Sequence, residues 1–102
     1  MKELDATNFF ETVNSGDAAV VDFWAPWCGP CRAMAQLIEQ VSDEVRGFAV
    51  VAKVNIDECP ELAEKFGIQS IPTIIYFRNG VEVSRSVGMV AKADIIASIN
   101  AL

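Results

Sequence analysis

Not one histidine occurs among the 102 residues, and this absence removes more chemistry than any other feature of the chain. Without imidazole there is no histidine general base, no Ser-His-Asp or Cys-His pair, and no zinc site of mixed cysteine and histidine ligands. Cysteine is scarce too: three residues cannot complete a four-cysteine metal site within one chain. Basic residues are in deficit, with 8 Lys+Arg against 14 Asp+Glu and a net charge of −6. A duplex-binding module needs clustered Lys and Arg to neutralise phosphates, so nucleic acid is not an expected partner. Long apolar runs are missing, and stretches such as Phe48-Ala49-Val50-Val51-Ala52 are far too short to span a bilayer. The opening Met1-Lys2-Glu3-Leu4-Asp5 is acidic and lacks the apolar core of a secretory signal, although a chain whose signal had been removed would look the same. We expect a soluble, cytoplasmic protein with no membrane contact. In a reducing cytosol, three cysteines fit catalytic or metal chemistry better than a disulfide scaffold.

What is present is globular: 52% of residues are apolar and 22% charged. A chain of this length is expected to form a single domain over residues 1–102 and to bury roughly two-thirds of the surface it exposes when unfolded. Its hydrophobic period alternates. Thr7 can cap a short helix over Asn8 to Val13, with Phe9, Phe10 and Val13 facing a core, and Ser15-Gly16-Asp17 stops it. Ala18 to Trp24 is a near-continuous apolar run, as in a strand covered on both faces. Beyond Cys28-Gly29-Pro30, residues Cys31, Met34, Ala35, Ile38, Val41 and Val45 recur at helical spacing until Gly47. Phe48 to Ile56 reads as a second buried strand, and Pro60 to Phe66 as a brief helix closed by Gly67. Asn79-Gly80 joins strands Thr73 to Arg78 and Val81 to Ser86 in a hairpin. Gly88 breaks the second of these, and Ala91 to Leu102 closes the chain as a helix with Ile95, Ile96 and Ile99 on one face. A helix between two strands favours a right-handed crossover and parallel pairing, while the hairpin adds antiparallel strands. The expected fold class is α/β, a central mixed sheet flanked by helices on both faces.

The loudest motif is Cys28-Gly29-Pro30-Cys31. A three-residue offset at a helix start puts both sulfurs on one side, within disulfide reach. Free N–H groups and the positive end of the helix dipole favour the thiolate of Cys28, while Cys31 lies one turn further in. Cys28 can then attack a disulfide and Cys31 can resolve the product. The alternatives are a chance pair or half of a metal site, and no histidine or second cysteine pair completes the latter. Asp22 interrupts the first long strand six residues before Cys28. It either faces water at a strand end or is a buried acid that relays the proton of Cys31. Lys53, inside the second long strand, reads on its own as a lysine snorkelling to solvent. Pro72 reads as a trans proline that starts a strand.

Phe23-Trp24-Ala25-Pro26-Trp27-Cys28-Gly29-Pro30-Cys31, with Asp22 before it and Ile71-Pro72-Thr73 downstream, closely resembles the thioredoxin family. The resemblance runs from about Leu4 to Leu102. It implies the thioredoxin fold and a protein-disulfide reductase with Cys28 as nucleophile and Cys31 as resolving thiol. It gives Asp22 the proton-relay role and makes Lys53 the neighbour that moderates it. It also makes Pro72 a cis-proline that exposes the Ile71 backbone to a substrate chain. Trp27, Val87, Gly88 and Met89, with Gly29 and Pro30 between the cysteines, resemble the flat apolar rim where protein substrates dock. No metal and no separate cofactor are implied, because the cysteine pair carries the two electrons. Implied partners are thioredoxin reductase and clients such as ribonucleotide reductase, peroxiredoxin and methionine sulfoxide reductase, met by a monomer. Related oxidases and isomerases usually hold a histidine inside the motif, so its absence here points to the reducing direction.

The chain departs from the pattern at Gln36, where many thioredoxins carry a proline that kinks the active-site helix. Cys59, in Asp57-Glu58-Cys59-Pro60, is either an inert thiol or an oxidisable, regulatory one. Two other functions stay open on the sequence. The apolar rim could serve a binding module in which redox turnover is incidental, or Cys28 and Cys31 could hold a metal or iron–sulfur centre between two chains.

Overall fold

A computed structural model describes residues 1–16 and 18–102; Asp17, the last residue of the expected Ser15-Gly16-Asp17 stop, lies outside the described residues. The chain forms β1 (Lys2–Leu4), α1 (Phe9–Val13), β2 (Ala18–Trp24), α2 (Gly29–Glu44), β3 (Val50–Asn55), α3 (Pro60–Lys65), β4 (Thr73–Arg78), β5 (Val81–Val87) and α4 (Lys92–Asn100). The five strands make one sheet in the order β1-β3-β2-β4-β5, with β1, β3 and β2 parallel and β4 and β5 antiparallel. The mixed α/β sheet is as expected. Asn79 and Gly80 turn the hairpin with φ of 50° and 79°, the two left-handed residues that a type I′ turn requires.

Strand alternation sorts the interior into two layers. Ala19, Val21 and Phe23 of β2 join Ile75 and Phe77 of β4 on one face, against Phe9 and Val13 of α1 and Leu62 of α3. Phe9, Phe23, Phe66 and Phe77 form an aromatic cluster there, with Phe9–Phe77 centroids 5.9 Å apart. Val20, Ile74 and Tyr76 point the other way, against Met34, Ile38 and Val41 of α2 and Ile95 and Ile99 of α4. The period of two therefore turns Asp22, two residues beyond Val20, toward α2.

Several expectations at element ends are corrected. The three-residue β1 carries no periodic signal in the sequence, because only Leu4 of its residues is buried. Thr7 does not cap α1: its hydroxyl donates to Asp5 Oδ1 at 2.6 Å, and Asn8 takes the N-cap position without a side-chain cap bond. Phe10 is 46% exposed rather than in the core, and Ala35 lies on the exposed side of α2. Phe48 is 59% exposed, and β3 begins at Val50. α2 runs unbroken past Gln36 to Glu44. No helix among the described residues is long and apolar enough to cross a membrane.

Candidate active site

β2 delivers the chain to the N-terminus of α2, where Cys28 occupies the N-cap position with extended backbone angles and Pro30 enters the first turn. Proline costs nothing there, since the first helical N–H groups have no intrahelical partner. The N–H of Cys31 uses the Cys28 sulfur as its acceptor, at 3.1 Å. A negative charge developing on Cys28 therefore meets a hydrogen-bond donor and the positive end of a helix of 16 residues. Cys28 and Cys31 are joined as a disulfide with their Cα atoms 5.2 Å apart.

The two sulfurs belong to different spaces. Cys28 lines an open groove of about 450 Å³, together with Trp27, Gly29, Pro30 and Ile71. Cys31 instead borders a smaller cavity of about 140 Å³, shared with Asp22, Trp24 and Lys53. That cavity mixes charged and apolar lining residues and is large enough for several water molecules. The disulfide thus stands between an open groove and a smaller chamber bordered by a carboxyl group.

Asp22 is only 4% exposed, so the reading that it faces water is overturned. Its Oδ1 atom has no hydrogen-bond partner. Burial pushes the carboxyl up to about 7, against a smaller downward pull from the Lys53 ammonium and a further upward push from Glu3. Lys53 is paired with Asp22 in the β2–β3 register, but its ammonium is directed to Glu3 Oε1, 3.8 Å away, and lies 4.8 Å over the Trp24 ring. The lysine thus neighbours Asp22 along the sheet while its side chain keeps 30% of its surface exposed.

The Ile71–Pro72 peptide is cis, correcting the trans bond expected from the residues alone and agreeing with the family resemblance. The Ile71 carbonyl lies 3.8 Å from the Cys28 sulfur. Gly88, at φ 87°, donates its N–H to the Pro72 carbonyl at 2.8 Å, which fastens the segment after β5 beside Pro72. Trp27, Val87 and Met89 are 66%, 59% and 62% exposed. Val87, Gly88 and Met89 nevertheless lie outside the lining of the groove. Sequence reasoning missed four residues that do line it, Ile56, Ile68, Gln69 and Ser70. Their only sequence signal is adjacency to Ile71 for the last three, and to the β3 end for Ile56. It also missed Asp57, whose carboxylate accepts from Trp27 Nε1 at 3.0 Å and holds the indole at the groove edge.

Cys59 is separate from this site. It is 3% exposed, sits 3.8 Å from the Leu4 carbonyl and keeps its proton, since burial first and the nearby Glu61, Asp5, Glu58 and Glu3 carboxylates raise its pKa. A buried thiol that resists ionisation is a poor nucleophile, which favours the inert reading. Among the described residues no group of three or more Cys, Asp or Glu side chains is arranged to hold a metal ion.

Comparison with known proteins agrees with this geometry. The thioredoxin family model matches residues 1–101. The chain is 41% identical to a thioredoxin of Griffithsia pacifica over 94% of this chain and 88% of that protein. It is 41% identical to part of a bifunctional thioredoxin reductase/thioredoxin of Mycobacterium leprae, over 94% of this chain and 21% of that longer one. A solved structure of a mutant thioredoxin from Halobacterium salinarum NRC-1 superposes with a TM-score of 0.92 at 28% identity, covering 98% of this chain and 88% of that one. With the fold, the cysteine pair and these relatives in agreement, the chain belongs to the thioredoxin family and acts as a protein-disulfide reductase.

Proposed function

We propose that the protein is a general electron carrier of the cytoplasm, taking two electrons at a time from a thioredoxin reductase and passing them to disulfides of client proteins. Ribonucleotide reductase, peroxiredoxins and methionine sulfoxide reductases are the client classes, and no separate cofactor takes part. The observation that carries this reading is the division of labour at the pair, with Cys28 on the open groove and Cys31 on the chamber of Asp22. The fused reductase and thioredoxin of Mycobacterium leprae supports the choice of electron donor.

The steps follow from that division. A client chain lies against Trp27, Gly29, Pro30 and the Ile71-Pro72 backbone, with Val87, Gly88 and Met89 extending the rim. Cys28 thiolate attacks one client sulfur, forming a mixed disulfide, and the other client sulfur leaves as a thiolate. The thiol of Cys31 then passes its proton through chamber water to the Asp22 carboxylate and attacks the Cys28 sulfur. The second client sulfur departs, so the client gains two electrons and the pair becomes the disulfide. A base titrating near 7 suits this step, because it is ionised at working pH yet basic enough to accept a proton. Lys53 moderates that base.

With NADPH, a thioredoxin reductase and a disulfide-containing protein, adding this chain should drive NADPH consumption matched to the client thiols formed. Consumption no faster than without the chain would overturn the reading. Changing both Cys28 and Cys31 to serine should abolish the turnover; an undiminished effect on the client would instead mark a binding module.

A further inference from the structure

The sheet register lines up three ionisable residues from three strands. Glu3 of β1 pairs with Lys53 of β3, and Lys53 pairs with Asp22 of β2. All three share the α2 side, because Leu4, Val54 and Phe23, their neighbours in sequence, are buried on the opposite face. The row is not evenly spaced in contacts. Glu3 grips the outer pair with both oxygens: Oε1 lies 3.8 Å from Lys53 Nζ, and Oε2 accepts from Trp24 Nε1 at 3.1 Å. The ammonium in turn rests 4.8 Å over the Trp24 ring, which closes a triangle of Glu3, Trp24 and Lys53. Among the described residues Glu3 is the one carboxylate within ion-pair range of Lys53. Asp22, next in the row, keeps a buried oxygen without a partner.

We propose that Glu3 is a positioning residue for the active site, holding the Lys53 ammonium against Trp24 and thereby leaving Asp22 without an ionic partner. A lysine free to turn inward would pair with the Asp22 carboxylate across the register and strip it of basicity. Glu3 prevents this by offering a better-hydrated partner, its side chain 41% exposed against 4% for Asp22, and its own charge also disfavours ionisation of Asp22. The groups facing Asp22 are few. They are Lys53 from β3, Glu3 from β1, Cys31, Arg32 and Glu39 from α2, and the amino group of Met1, which bonds Glu39 at 3.4 Å. β4 presents the apolar Ile74 opposite it. Of these groups only Glu3 both engages Lys53 and is held by a second residue of the site, Trp24.

The inference rests on the reading of Asp22 as the proton acceptor, yet it is tested without substrate. The Asp22 carboxyl is titrated by carbon NMR in the oxidised full chain. Glu3→Gln keeps the acceptor for Trp24 Nε1 but removes the charge, and should lower the Asp22 midpoint by about half a unit to one unit. Glu3→Asp retains the charge and should hold the midpoint near that of the unmodified protein. In a Lys53→Met background the Glu3→Gln shift should fall to less than half its size. An unmoved or raised midpoint in Glu3→Gln, an equal shift in Glu3→Asp, or a full shift without Lys53 would each overturn the proposal. Failure of the relay itself would appear elsewhere, as undiminished turnover by Asp22→Asn.

Discussion

Cys31→Ser is expected to capture client proteins covalently and stop. Cys28 remains at the groove with its helix N-terminus, so the first attack proceeds and one client thiolate is released. The mixed disulfide then waits, because the group that should displace the client is a serine hydroxyl. In the unaltered protein the resolving sulfur is held in position, with Cα atoms 5.2 Å apart, and this intramolecular attack has an effective concentration far above that of any free thiol. Release should slow by on the order of 10³-fold or more. Mass spectrometry of the variant mixed with an oxidised client should find a one-to-one adduct that dithiothreitol dissolves. Cys28→Ser should form no adduct, since Cys31 borders the inner chamber rather than the groove. Adducts formed equally by both variants would contradict the assignment of nucleophile and resolving thiol.

Asp22→Asn should make the protein more stable and slower. In the folded chain the carboxyl holds its proton up to about 7, against 3.8 for an ordinary aspartate. Between those values the folded state binds one more proton than the unfolded state, so stability falls as pH rises and levels off above the folded value. The full loss is about 4 kcal/mol, and it arises because ionisation places a charge in a site with 4% exposure and an unpartnered oxygen. Asparagine is neutral throughout and escapes this loss. Urea unfolding should therefore show the variant ahead by on the order of 3–4 kcal/mol at pH 8, with the gap closing near pH 4. A gap independent of pH would contradict the buried, proton-holding state of Asp22. Reduction of client disulfides by the variant should fall about 10-fold or more. Turnover unchanged from about pH 6 to about pH 9 would remove Asp22 from the mechanism.

Local signals account for what the sequence made legible. Asn79-Gly80 supplies both left-handed residues of its turn, the apolar run Ala18 to Trp24 has the length and continuity of a covered strand, and helical spacing begins where Pro30 permits it. The cysteine pair needs nothing beyond its three-residue offset and a helix start. Non-local pairing accounts for the rest. β1 is three residues with one buried side chain, and its partner in β3 lies about fifty positions away, so no periodicity reveals it. The register that aligns Glu3, Lys53 and Asp22 depends on that same pairing, which hides the role of Glu3. Asp22 was ambiguous because a strand covered on both faces does not reveal which cover holds water. The groove residues Ile68, Gln69 and Ser70 follow a helix end as ordinary connecting chain, and only the fold brings them to Cys28.

One Cys28–Cys31 dithiol delivers two electrons to a protein disulfide, and a single turnover without any reductase isolates that step. The protein is reduced, freed of reductant and mixed with an excess of an oxidised client. Two new client thiols are expected for each Cys28–Cys31 disulfide formed, with Cys59 unchanged. No client thiols, or a disulfide count that requires Cys59, would contradict it.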